Sequence, residues 1–411
     1  MVKNLKYPKV LILCDRFDDC TGMGVTLTNL FGDWPRECVA LAGYSIDKAL
    51  CERIRPCAGY FALDGQFVNI ASDSKKTRKD APFLRKTAKL IYTKLGISDF
   101  SNIKLSSELK AFVDSFKPDI IFTALGDLKR VRFSDSIKEY YPSAKLALYI
   151  VDDWPDSRYC GRWFESLWRW KYNKAVKCII DKSDIRLSIC QKMSDIYMTR
   201  YGAKFVPFHN PVDLEKWGGI ERSPCYDDSV ISILYVGKIN RDTEQQLIKL
   251  AACVERLNVN EYRIKFDVYT PSLIPPRLQE FKNTEVKGAV ANTAIPSLLK
   301  SYSLLFLTLG FSSETRNYVK LSMPTKLTEY LASGTPIILY APNEIALTEY
   351  LSENSAAFTC TDEEELETTV RKAINNRGAK DSVINNAKKL VCRHDLKIIR
   401  ENFRKVLNQE I

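Results

Sequence analysis

Short apolar runs of strand length alternate with longer stretches whose apolar residues recur every three or four positions. Continuous runs at 10–14, 38–42, 119–125, 146–151, 185–190 and 205–209 predict buried strands, because a strand covered on both faces has no polar positions to alternate. Helical spacing occupies 81–95, 105–116 and 192–201, and another helical stretch ends near Tyr141. After Asn210-Pro211 the pattern loosens into a piece rich in breakers, with Gly218-Gly219, Ser223-Pro224 and Asp227-Asp228. The alternation then restarts, with strands at 231–236, 264–269, 304–309 and 336–340. Helices are expected at 243–257, 294–301, 324–333, 343–351, 363–376 and 394–407. Strands separated by helices predict parallel sheets with helices on both faces. The expectation is therefore α/β: two Rossmann-like doubly wound domains, 1–212 and 229–392, facing each other across a cleft. Residues 213–228 are expected to form a linker, and 393–411 a terminal helix crossing back to the first domain.

The length, 411 residues, suits two domains. An apolar fraction of 45% with 27% charged residues excludes a disordered chain. The longest apolar runs fall well short of the ~20 residues of a membrane helix, and residues 1–9 lead into a strand without a signal-peptide core. Twelve cysteines are scattered from Cys14 to Cys392 with no CxxC pair, and His209 and His394 are the only imidazoles. That distribution predicts buried, reduced thiols in a cytoplasmic protein, with neither a disulfide framework nor a metal site.

Charge changes the picture in one half. The net charge is +11, and residues 1–227 carry 37 basic against 28 acidic side chains, so the excess lies there. Its densest piece is 75–94, where eight cations are interleaved with Phe83, Leu84, Leu90, Ile91 and Tyr92. A second, 162–177, mixes Arg162, Arg169, Lys171, Lys174 and Lys177 with Trp163, Phe164, Leu167, Trp168 and Trp170. Such mixtures suit an anionic membrane surface, since aromatic rings settle at headgroup depth while cations meet phosphates. The alternative is a solvated helix face over an aromatic core stripe. No nucleic-acid motif is present, so nucleic acid is not an expected partner.

Four motifs could carry chemistry. Gly22-Met23-Gly24 follows the first strand and opens a helical run. Glycines there let backbone approach an anion at a helix N-terminus, although a plain turn would read the same way. In the segment from Ser322 to Pro336, Pro324 fits a first helical turn and Gly334 a helix end. Leu327, Tyr330 and Leu331 form the apolar stripe, which puts Lys326 and Glu329 together on another face. A cation beside free N–H groups suits a pyrophosphate, and a carboxylate one turn later suits ribose hydroxyls; an ordinary i, i+3 ion pair is the alternative. Gly237-Lys238-Ile239-Asn240-Arg241 leaves the first strand of the second domain with two cations able to stabilise a departing diphosphate. Asp152 and Asp153 end a buried strand, where either could accept hydrogen bonds from sugar hydroxyls or a proton from an acceptor, or cap the turn before Pro155.

Together these segments resemble the family-4-like, retaining glycosyltransferases of the GT-B type that build bacterial surface polysaccharides. The resemblance runs through Gly22 and Gly24, then from Ser183 to Asp195 and on to Tyr201-Gly202 and Phe208-His209-Asn210-Pro211-Val212-Asp213. It continues through Leu234-Tyr235-Val236-Gly237-Lys238-Ile239-Asn240 and the segment from Pro324 to Pro336. It implies a nucleotide-sugar donor, UDP- or GDP-linked, held mainly by the C-terminal domain as co-substrate with no cofactor, and a glycan or lipid-linked acceptor at the cytoplasmic membrane face. By the same resemblance Glu329, the second glutamate of an E-x7-E motif, holds the ribose, and Lys238 meets the diphosphate. Arg241 shares that role, because the second cation of the family falls on Thr243. The first glutamate falls on Leu321, and Lys326 resembles the lysine of a P-x-K-x-x-E-Y variant. Lys238 and Lys326, with Asp152 and Asp153, are the expected catalytic set, and no DxD metal motif is present. The rival readings are a nucleotide-sugar epimerase of the same fold and a non-catalytic GT-B-like subunit.

Overall fold

A computed structural model describes residues 6–14, 17–19, 21–44, 46–68, 103–221, 229–260 and 262–410. The basic stretch 75–94 and the helix expected at 81–95 lie outside them. The chain divides into two compact units, one of residues 1–209 and 400–411, the other of residues 210–399.

The first unit holds β1 (Val10–Leu13), β2 (Val39–Gly43), β3 (Gly59–Ala62), β4 (Ile120–Ala124), β5 (Lys145–Ile150), β6 (Ile185–Ser188) and β7 (Val206–Pro207). They form one parallel sheet in the order β3-β2-β1-β4-β5-β6-β7. Its helices are α1 (Gly22–Leu30), α2 (Lys48–Ile54), α3 (Ser107–Phe116), α4 (Leu128–Tyr140), α5 (Trp154–Ser157), α6 (Glu165–Lys182) and α7 (Gln191–Tyr201). The central strands are buried along their whole length, as their unbroken apolar sequences require when helices cover both faces. Phe403, from the C-terminal segment, packs edge-on against Phe31, Phe122 and Phe208 in this core.

The second unit holds α8 (Leu214–Gly218), β8 (Ile231–Val236), α9 (Arg241–Asn260), β9 (Ile264–Tyr269), β10 (Thr284–Lys287), α10 (Ile295–Ser301) and β11 (Leu304–Thr308). It continues with α11 (Ser313–Val319), α12 (Lys326–Ser333), β12 (Ile337–Tyr340), α13 (Ala346–Glu353), β13 (Phe358–Cys360), α14 (Leu366–Asn375) and α15 (Arg377–Val391). The last helix, α16 (Leu396–Leu407), belongs to this unit up to Ile399. The sheet is parallel, in the order β10-β9-β8-β11-β12-β13. Strand order reverses direction at β8/β11 here and at β1/β4 in the first unit, and loops leaving the carboxyl ends at such points frame ligand crevices in doubly wound sheets.

Two expectations are corrected. Residues 213–221 are part of the second unit and not a linker: Trp217 of α8 is buried, and Lys300 Nζ donates to the carbonyls of Trp217 and Ile220 at 2.6 and 2.8 Å. The glycine pair Gly218-Gly219 ends this short helix; residues 222–228 lie outside the described residues. Nor are the thiols uniformly buried, for Cys160, Cys178 and Cys392 are exposed. Burial raises the thiols of Cys51 and Cys253 to about 11.

His394 is buried where Val212 and Asp395 form an isolated bridge: the Val212 amide donates to the His394 carbonyl at 2.9 Å, and the ring Nε2 lies 2.6 Å from Tyr350 Oη. Burial, and then the charge of Arg393, push the imidazole down to about 4. The unfolded chain therefore binds a proton that the folded one refuses between pH 6.5 and 4. Stability is fully present above about pH 6.5 and falls by ~3 kcal/mol as pH drops to 4. Urea midpoints of His394→Gln are expected to fall less steeply than wild type across this window; parallel curves would show that His394 does not control it.

Candidate functional site

In the second unit the polypeptide leaves β8 through Gly237 and Lys238, and the turn is pinned on several sides. The Gly237 amide donates to the Tyr269 carbonyl at 3.0 Å, Tyr235 Oη to the Lys238 carbonyl at 2.9 Å, and the Ile239 amide to Ser272 Oγ at 2.9 Å. Asn240 starts α9, its side-chain oxygen accepting the Thr243 amide at 2.8 Å. Lys238 and Arg241 are exposed at this strand exit, and Arg241 is the first residue of α9. A cation there opposes the helix dipole, which favours an anion from elsewhere as its counter-charge.

Helix α12 begins after Pro324 and ends at Gly334, whose φ of 72° is the left-handed value that favours glycine. Its apolar stripe is buried as expected: Leu327, Tyr330 and Leu331 are in the core. Tyr330 Oη accepts the Val236 amide at 3.1 Å, which ties the helix to the last residue of β8 and so to the Gly237–Arg241 turn. On the other face Lys326 Nζ lies 3.1 Å from Glu329 Oε2, each side chain about a third exposed. Glu329 Oε2 is itself buried and accepts no well-directed hydrogen bond among the described residues. Of the two sequence alternatives the ion pair is present, and it leaves a carboxylate oxygen short of a well-directed donor among the described residues. Gly237, Lys238, Arg241, Lys326 and Glu329 gather at the carboxyl edge of one sheet.

The remaining expected residues lie in the first unit. Gly22 and Gly24 open α1, but that helix N-terminus is already filled by Asp18. The buried Asp18 carboxylate accepts the Thr21 amide at 2.6 Å and the Thr21 hydroxyl at 2.9 and 2.8 Å, while Thr21 Oγ1 accepts the Gly24 amide at 3.1 Å. A Cβ on Gly24 would overlap the Asp18 carboxyl group, with Oδ2 at 2.7 Å. The absent side chain at Gly24 is thus explained by the chain's own aspartate, as the plain-turn alternative has it.

Asp152 and Asp153 separate. Asp153 is buried, accepting Tyr197 Oη at 3.0 Å and Arg200 through Nη1 at 2.8 Å and Nη2 at 3.2 Å. Burial alone would lower the Arg200 pKa, but hydrogen bonds and charge from Asp153, with the charge of Asp156, outweigh it and hold the guanidinium protonated. Both Asp153 oxygens are committed inside the unit, an arrangement that suits a structural role. Asp152 is half-buried at the β5 exit.

Three contributors were missed. Tyr330 was read as stripe alone, yet its hydroxyl locks α12 to β8. Asn210 Nδ2 donates to the Thr325 carbonyl at 3.2 Å, at the start of α12; its place in the Phe208–Asp213 segment gave it no such role. Asp18 had none beyond its place before a helix. Leu321 and Thr243, which stand where the resemblance places charged groups, are buried.

Residues 252–390 match the family described as "Glucosyltransferase 3-like, C-terminal domain". No curated protein matches the chain by sequence. The chain shares the fold of GT-B glycosyltransferases. It is similar to Anabaena HepE, solved with UDP and glucose, at a TM-score of 0.63 and 12% identity, covering 98% of this chain and 100% of that one. The UDP-forming α,α-trehalose-phosphate synthase of Burkholderia xenovorans, solved with glucose-6-phosphate, gives 0.65 and 10%, covering 97% and 100%. Sucrose-phosphate synthase of Thermosynechococcus elongatus gives 0.60 and 12%, covering 98% of each. Among the described residues no group of His, Cys, Asp and Glu could hold a metal ion, and no helix is long and apolar enough to cross a membrane.

Proposed function

We propose that this chain is a retaining glycosyltransferase of bacterial surface polysaccharide synthesis. It moves a sugar from a UDP- or GDP-linked donor to a glycan or lipid-linked acceptor at the cytoplasmic face of the membrane. The observation that carries this reading is the buried, under-satisfied Glu329 oxygen beside Lys326, on a helix locked to the β8 exit. Ribose hydroxyls supply the donors that oxygen lacks, and a carboxylate–hydroxyl bond is of the stronger, charge-assisted kind. The family match over 252–390 and the UDP bound by HepE support the same assignment.

Lys238, Arg241 and Lys326 hold the diphosphate and stabilise the charge that develops as it leaves. The bond between the anomeric carbon and the phosphate oxygen breaks while the acceptor oxygen bonds to that carbon on the same face. The acceptor's proton passes to the departing phosphate oxygen, so configuration is retained with no enzyme nucleophile and no cofactor beyond the donor. Asp152 takes hydrogen bonds from acceptor hydroxyls. Incubation with a panel of labelled sugar nucleotides and membrane extract should give one labelled glycan whose new linkage keeps the donor's anomeric configuration. Inverted product would remove the mechanism, and free sugar with nucleotide as the only products would point to the epimerase.

A further inference from the structure

Helix α6 has two apolar faces. Trp168, Tyr172, Val176, Ile179 and Ile180 are buried against the first unit. The opposite face begins just before the helix and continues along it: Trp163 is 53% exposed, Phe164 69%, Leu167 50% and Trp170 60%. The aromatic core stripe read in the sequence therefore accounts for Trp168 and leaves four large apolar side chains in water on neighbouring turns. The backbone takes an unfavourable path to put them there. Phe164 has φ 58° and Tyr159 φ 68°, left-handed values that aromatic residues rarely adopt.

Cations surround the patch. Lys171, Lys174 and Lys177 follow it along the helix and Arg162 precedes it, with Lys174 Nζ 5.6 Å from the Trp170 ring. The acids nearby are committed: Glu165 accepts the Gly161 amide at 2.9 Å and pairs with Arg169 at 3.3 Å, and Asp156 pairs with Arg200 at 2.8 Å. We propose that the face formed by Trp163, Phe164, Leu167 and Trp170 docks on an anionic lipid surface, the rings entering the headgroup layer and Lys171, Lys174 and Arg162 meeting lipid phosphates. This extends the membrane-facing part of the proposed function and is independent of the donor site. A second copy of the chain fits less well, because a two-fold contact sets the patch against itself and brings its cations together. A lipid surface supplies both the apolar depth and the opposite charge.

The test is flotation with vesicles of phosphatidylglycerol and phosphatidylcholine in a one-to-three mixture, against phosphatidylcholine alone. The wild-type chain is expected to float with the anionic vesicles and to be released at about 1 M salt, where the Debye length contracts to ~3 Å. Trp163→Ser/Trp170→Ser should lower partitioning about tenfold or more while leaving the circular dichroism spectrum and any nucleotide-induced thermal shift unchanged. Lys171→Gln/Lys174→Gln, which keeps the rings, should lower it about tenfold or more, since each cation near an anionic surface is worth about fivefold. Flotation of the tryptophan variant equal to wild type overturns the proposal. So does binding indifferent to lipid charge, or a lipid-free dimer that the same substitutions dissociate. A thermal shift without flotation defeats only the docking face, and flotation without a shift with any nucleotide defeats only the donor assignment.

Discussion

Glu329→Ala and Lys326→Ala should each weaken nucleotide binding about ten- to a hundredfold, because each removes a charge-assisted hydrogen bond worth ~1.5–3 kcal/mol. The stability of the free protein should hardly move. An i, i+3 ion pair between side chains about a third exposed is worth only ~0.2–0.5 kcal/mol. That difference in magnitude separates the two meanings of the pair. If it is only surface decoration, neither substitution touches ligand binding; if it frames a donor site, binding collapses while the melting temperature stays put. Thermal shift across UDP, GDP, ADP and CMP measures both at once, since a nucleotide at ~100 times its Kd adds ~2.7 kcal/mol. Glu329→Gln, which keeps an acceptor but not the charge, should fall between wild type and alanine. A full shift in both alanine variants would mean the donor is held elsewhere.

Asp153→Ala should behave in the opposite way. Removing the buried carboxylate takes two charge-assisted hydrogen bonds from a part-buried guanidinium and the acceptor from a buried hydroxyl, at a cost of about 3 kcal/mol, or a fall in melting temperature on the order of 10 °C for a domain of this size. Arg200 keeps Asp156 at 2.8 Å but loses both bonds to Asp153, and Tyr197 Oη loses its acceptor. Asp153→Ala/Arg200→Met should recover most of the loss, because no buried charge is then left unpaired. Nucleotide binding should survive, since Asp153 lies in the first unit and the residues proposed to hold the donor lie in the second. A variant with wild-type melting and no transfer activity would restore Asp153 to catalysis.

The strands that carry both sheets were legible because full burial writes an unbroken apolar run. Ile231–Val236 and Ile264–Tyr269 were predicted residue for residue. The strands missed, Gly59–Ala62, Thr284–Lys287 and Phe358–Cys360, are three of the four outer strands of the two sheets. An outer strand has fewer covered positions, and the pattern of Thr284–Lys287, without a fully buried residue, carries no periodic signal. Helix Ser313–Val319 falls in none of the expected elements, because Thr315, half-buried, and Val319, buried, do not establish a helical stripe.

By itself the sequence determined the α/β alternation, the parallel sheets and the pairing of Lys326 with Glu329 on one helix face. Each of these is a consequence of local spacing: burial sets the run length, and 3.6 residues per turn sets which side chains are neighbours. Only the tertiary structure decided which of two adjacent aspartates is spent, since Arg200 and Tyr197 reach Asp153 from more than forty positions away. It also decided that Asp18 fills the glycine-flanked helix start, and that Trp168 turns inward while Trp163 and Trp170 face solvent. Adjacent residues of identical type differ in such cases only in what the rest of the chain brings to them, and no local pattern records that.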